Sequence, residues 1–117
     1  MKSIKMVHKM RLTRDAWYAI ASGGKDIEMR LCDEKRAQLE IDDVIEFTDV
    51  QSGEVLRARV KALHRFQSFF ELYSAFPKER LGYSSDEEAH PDDMERYYSQ
   101  CDIRKFGVLG IEVEVAK

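Results

Sequence analysis

The sequence predicts an α+β fold, on three observations. Several runs alternate apolar and polar residues with the period of a strand. Short helical stretches with recognisable caps lie between them. Strands and helices do not alternate one for one, as a doubly wound parallel sheet would require.

Thr13 caps a short helix running to Ser22, with Trp17, Ile20 and Ala21 at i, i+3 and i+4 on its buried face. Gly23-Gly24 stops that helix, because glycine tolerates the left-handed turn. From Asp26 to Leu31 the chain alternates cleanly: Ile27, Met29 and Leu31 face the core, and Glu28 and Arg30 face the other way. Asp33 to Leu39 suits one or two helical turns, and Val44 to Thr48 a strand. After the polar turn Gln51–Glu54 comes the most regular strand, Val55 to Phe66. Leu56, Ala58, Val60 and Ala62 take one face there; Arg57, Arg59, Lys61, Leu63 and Arg65 take the other. Ser68 to Phe76 reads as a helix closed by Pro77. Residues 82–93 form a long polar excursion, in which Pro91 suits the first position of a helix with Asp92 and Asp93 in its first turn. Met94, Tyr97 and Tyr98 share a side of that helix, and Gly107 to Val115 is a closing strand.

A chain of 117 residues is long enough for one domain, here assigned to 1–117, and too short for two ordinary ones. Its apolar fraction of 44% and charged fraction of 35% are those of a soluble globular protein. No apolar run approaches the ~20 residues of a membrane span, so no membrane partner is expected. The lysines at the N-terminus precede no apolar stretch, so no secretory signal is expected. Cys32 and Cys101 lack the spacing of a disulfide framework or zinc knuckle, and read as small semi-buried residues of a reducing, cytoplasmic protein. The net charge of −3 is unevenly spread. Residues 1–36 hold nine Lys/Arg against five Asp/Glu, residues 55–70 hold no acid, and residues 71–102 hold nine acids against three bases. One basic face and one acidic face follow, and the local field matters more to a charged ligand than the sum.

The run Gly24-Lys25-x-x-Glu28-x-Arg30-Leu31-x-Asp33-Glu34-Lys35-Arg36, followed by Leu39 and Asp43-Val44-Ile45-x-Phe47, resembles the ASCH family. His8-x-Met10-x-Leu12, Tyr97-Tyr98 and Phe106-Gly107-Val108-x-Gly110-Ile111 are similar to small bacterial members of it. Asp42 stands where the family has glycine, and aspartate tolerates the left-handed backbone better than most residues. The resemblance implies a PUA-like fold, a small mixed β-barrel with short helices around it and a cleft beside the GKxxExR strand. It also implies binding of RNA, a nucleotide or a modified nucleoside. Some relatives are amidohydrolases on N4-acetylcytidine and others nucleases. In the amidohydrolase-like members a threonine nucleophile stands three residues after the lysine; Glu28 occupies that place here, and a carboxylate is not a hydroxyl nucleophile.

Lys25 and Arg30 suit a phosphate, one as a point charge and the other as a fork, and Glu28 suits the amino edge of a base. Glu28 and Arg30 equally fit a solvated pair on a wet strand face. Lys35 and Arg36 are read as phosphate contacts at the rim, and also fit an ordinary solvated turn. Of the two tyrosines, Tyr98 is favoured for stacking on a base. The cations of residues 57–65 fit a backbone-tracking groove or an exposed face that resists aggregation. His8 reads as structural, and Trp17 as a core anchor. No spacing of histidines and cysteines suggests a metal, and no motif calls for a cofactor. Two functions follow. One is an RNA- or nucleotide-binding module using Lys25, Glu28, Arg30, Lys35, Arg36 and Tyr98. The other is a small hydrolase in which Lys25 stabilises developing charge and Glu28 is general base to a water. A third, a protein-interaction module, would use the acidic segment 84–102.

Overall fold

The computed structural model describes residues 6–116. Strand β1 (Val7–Leu12) leads into helix α1 (Arg14–Ala21), then β2 (Ile27–Leu31), β3 (Val44–Asp49) and β4 (Val55–Phe66). Helices α2 (Phe69–Ala75), α3 (Asp92–Glu95) and α4 (Gln100–Phe106) precede the last strand, β5 (Val108–Val115). The five strands form one sheet in the order β1-β3-β4-β5-β2. Only β1 and β3 are parallel; the other pairings are antiparallel. The sheet curls into a half-barrel whose edges are β1 and β2, strands adjacent in sequence but at opposite ends of the ladder.

Two apolar clusters fill the molecule. One joins α1, through Trp17 and Ile20, to the β1, β3, β4 and β5 residues Met10, Ile45, Phe47, Val60 and Ile111. Trp17 is the anchor the sequence suggested: its indole N–H donates to the Phe47 carbonyl (3.0 Å), so the ring is buried without an orphan donor. The second cluster packs Ile27, Met29 and Leu31 of β2 against Phe69, Leu72, Leu81 and Ile103. Thus β2 is covered by α2, α4 and the start of the excursion.

Most expected elements are present, with informative departures. Thr13 caps α1 by accepting from the Ala16 amide, but Ala21 is exposed and Ala16 packs on the core instead. Of the expected turns over 33–39 only a 3-10 turn at Arg36–Gln38 forms. Pro91 is the cap of α3 rather than its first residue. That helix stops at Glu95, so Tyr97 and Tyr98 lie in the turn beyond it. A further 3-10 turn, Lys78–Leu81, precedes the excursion, and α4 completes the run to β5; neither is expected from apolar periodicity. Strand β4 has the expected ends but not the expected faces. A bulge between Val60 and Ala62 shifts the phase, and Leu63 turns toward the first cluster. Asp42 does adopt a left-handed backbone, φ 76°, at the turn into β3. Cys32 is half-buried and Cys101 exposed.

Candidate functional site

The second face of β2 is largely buried. Lys25, in the turn before β2, and Glu28 are both buried, each about 5% exposed. Glu28 lies between two cations: Arg30 Nε donates to one carboxylate oxygen (2.7 Å), and Lys25 Nζ stands 3.4 Å from the other. Solvated surface pairing therefore does not describe these residues. Burial pushes the Glu28 carboxyl up, but the charges of Lys25 and Arg30 and their hydrogen bonds outweigh it and hold it below its ordinary range. The cluster is a largely buried triad, the Arg30 side chain being 16% exposed, with one surplus positive charge.

Each cation also reaches across the fold. The Arg30 guanidinium donates to the Arg11 carbonyl (2.8 Å), so it bridges the two edge strands that the sheet does not pair. That carbonyl belongs to a strand edge, where backbone groups lack ladder partners. Lys25 Nζ donates to the Leu81 carbonyl (2.9 Å), just before the excursion. The chain passes closely there because Gly82, φ 108°, has no side chain; a Cβ would stand 3.1 Å from Lys25 Cδ.

Over this seam lies a cleft of about 280 Å³, lined among others by Arg11, Thr13, Lys25, Glu28, Arg30, Tyr97 and Tyr98. It adjoins a second lobe of about 340 Å³, and the two share Thr13, Ala16, Lys25, Met29, Met94 and Tyr97. The N-terminus of α1, capped by Thr13, opens on both lobes. The structure thus gathers Lys25, Glu28, Arg30 and Tyr98 around one cleft. Arg36 stands near enough to Tyr98 to act on its charge, but neither it nor Lys35 lines the cleft. Arg36 is held by Asp33 (3.3 Å). The two tyrosines differ in exposure. Tyr98 is half-buried and stacks on Phe69 of the core (5.8 Å, 16°), whereas Tyr97 is 70% exposed at the mouth. Arg11 and Tyr97 are therefore the exposed cleft residues that reasoning from strand faces did not single out.

The roof over the second lobe is well tied. The Tyr83 hydroxyl donates to Asp93 (2.7 Å) and shares a hydrogen bond with Tyr73 of α2 (2.7 Å). Burial and then these two bonds raise the Tyr83 hydroxyl well above its usual pKa. Lys78 Nζ donates to the Ser85 and Glu87 carbonyls.

Elsewhere, His8 and three of the β4 cations are held by protein partners. Asp43 is buried and accepts from the Met6 and Glu40 amides and from His8, 2.8 Å away, which pins the turn before β3. The arginine-rich face of β4 is neutralised by neighbours: Arg57 pairs with Glu46 (2.6 Å), Arg59 with Asp42 (2.5 Å), and Lys61 lies 3.9 Å from Glu112. Among the described residues no three His, Cys, Asp or Glu side chains converge as metal ligands. No described helix is long and apolar enough to cross a membrane.

Chemically, the triad suits holding an anion better than abstracting a proton. A general base works best with a pKa near the operating pH, and Glu28 is held low with cations on both oxygens.

Comparison with known proteins agrees with the architecture. The structure is similar to the hypothetical protein PH0355, with TM-score 0.80 and 29% identity over 95% of this chain and all of that one. It is similar to protein PF0455 from Pyrococcus furiosus, with TM-score 0.75 and 32% identity over 96% of this chain and 99% of that one. A structure of ZmASCH from Zymomonas mobilis, carrying S128A, shares the fold at 13% identity, TM-score 0.69, over 94% of this chain and 68% of that one. Among curated proteins none matches the chain significantly. A family model, "ASCH domain", matches residues 11–116. With its half-barrel sheet and short helices of PUA-like form, the chain belongs to the ASCH domain family.

Proposed function

We propose that this protein binds RNA, seating one nucleotide in the seam cleft between β1 and β2. The observation that carries the reading is the buried Lys25–Glu28–Arg30 triad, whose surplus positive charge lies under a cleft with an exposed tyrosine at its mouth. A charge kept out of water meets little screening, so an anion in the cleft feels it strongly. The exposed guanidinium of Arg11 and the positive end of α1 reinforce that field. Tyr97 offers a free ring for a base, since every base has a π face. The family is one generally thought to bind RNA, which agrees with this reading.

The test must leave the triad intact, because truncating Lys25 or Arg30 removes a partner from buried Glu28 and the donor from the Leu81 or Arg11 carbonyl, and so unsettles the fold. Fluorescence anisotropy of a labelled single-stranded RNA, at two salt concentrations, compares wild type with Arg11→Ala and Tyr97→Ala. Wild type binds saturably and weakens with salt. Arg11→Ala lowers the salt slope by about one phosphate contact. Tyr97→Ala weakens binding by roughly 1–3 kcal/mol, as loss of a stacking platform does. Absence of saturable binding, or equal binding by all three proteins, rejects the reading.

A further inference from the structure

The two lobes of the groove carry opposite charge. Arg11, Lys25 and Arg30 outnumber Glu28 around the seam lobe. Asp15, Glu87 and Asp93 line the other, where Lys25, shared with the first, is the one lining cation among the described residues and Arg96 pairs with Asp93. Asp15 lies in the first turn of α1 and Asp93 in the first turn of α3, so the acids come from separate elements. Tyr97 and the apolar Met29 and Met94 form wall common to both lobes. Together the lobes fall within the ~300–1,000 Å³ of small-molecule sites.

Resting on the RNA-binding reading, we propose that the groove fixes the direction and kind of the bound nucleotide. Its phosphate lies in the seam lobe, and a base with an exocyclic amine lies in the acidic lobe. A carboxylate accepts from the amino group of cytosine, adenine or guanine. Uracil presents carbonyl oxygens at the corresponding edge, and these meet Asp15 and Asp93 as acceptor against anion. The Asp93 carboxylate is positioned for this by Tyr83, which donates to Oδ2 and is itself held by Tyr73. Arg96 stands at the long distance of 3.4 Å from Oδ1, so that oxygen is only weakly engaged. The groove thus selects amino-bearing bases, a specificity separate from the affinity given by the cations.

Labelled cytidine and uridine hexamers test this, since they share phosphates and ribose and differ at the base edge. Wild type binds the cytidine hexamer about tenfold more tightly, the discrimination of one good carboxylate–amine contact. Asp15→Asn/Asp93→Asn brings the ratio near unity while the uridine hexamer binds at least as well as before. The amide at residue 93 still accepts from Tyr83, so near-UV circular dichroism and the melting temperature stay as in wild type. Arg11→Ala weakens both hexamers alike and preserves the ratio. Equal binding of the two hexamers by wild type, or a ratio that survives the double substitution, overturns the proposal and leaves RNA binding standing. Failure of both hexamers to bind overturns the two readings together.

Discussion

Strands β2 and β4 both interleave acids or cations with apolar residues, and they meet opposite fates. On β4, Arg57 and Arg59 project from a face open to solvent and pair with Glu46, Asp42 and Glu114. On β2, Glu28 and Arg30 point into a seam roofed by the excursion, and Lys25 closes over them. Alternation assigns a residue to a face but says nothing of what covers that face. The central strand keeps Arg57 and Arg59 at the surface, 62% and 43% exposed. The edge strand largely buries its own charges, because its opposite edge and the 77–98 segment come over it.

The largest effect that sharpens this contrast is on stability. Glu28→Ala leaves two buried cations unneutralised and costs about 3–5 kcal/mol in chemical denaturation. A loss under 1 kcal/mol would show the triad to be hydrated. Replacing all three charges, Lys25→Met/Glu28→Leu/Arg30→Met, recovers most of that loss, since no charge is then stranded. The recovery is incomplete because the Leu81 and Arg11 carbonyls lose their donors.

The next effect is on pH dependence. Glu28 has a folded-state pKa below its ordinary 4.5. The carboxylate therefore contributes stability that is fully present above about 4.5 and lost as pH falls through the lower folded value. Denaturation midpoints of wild type should decline more steeply below that pH than those of the triple variant. Parallel curves would place the acid sensitivity in other carboxylates, Asp43 first among them.

The smallest effects belong to β4. Arg57→Ala and Arg59→Ala leave the denaturation midpoint and RNA affinity unchanged within error, because exposed pairs contribute little. A clear loss of RNA affinity in either would move the nucleic-acid surface from the seam to the open sheet.

Local chemistry made much of the fold legible. Thr13 before a helical stripe and the strand Val55–Phe66 follow from rules that act within a few residues, whereas the left-handed Asp42 was expected only from the family resemblance. Helix α4 was not legible from periodicity, because Ile103 is its only buried residue. The usable signals were Ser99, which accepts from the Asp102 amide, and Gly107 just past the end. The bulge after Val60 left no composition signal, so strict alternation misplaced Leu63. At the site, the identities of Lys25, Glu28 and Arg30 were legible and their burial was not. Their partners lie at Arg11 and Leu81, contacts of long sequence separation that no local pattern encodes. Tyr97 and Tyr98 could be separated only once α3 was seen to end at Glu95 and Phe69 to claim the second ring.

The arginine that joins the two edge strands bears on how such sequences are compared across lineages. Arg30 answers to foldability through the Arg11 carbonyl and through Glu28, whatever occupies the cleft. A descendant that had lost its ligand would remain under selection to keep it. The lysine–glutamate–arginine signature therefore marks shared architecture, and on the RNA-binding proposal retention of a ligand is better followed at positions such as 11, 15 and 97.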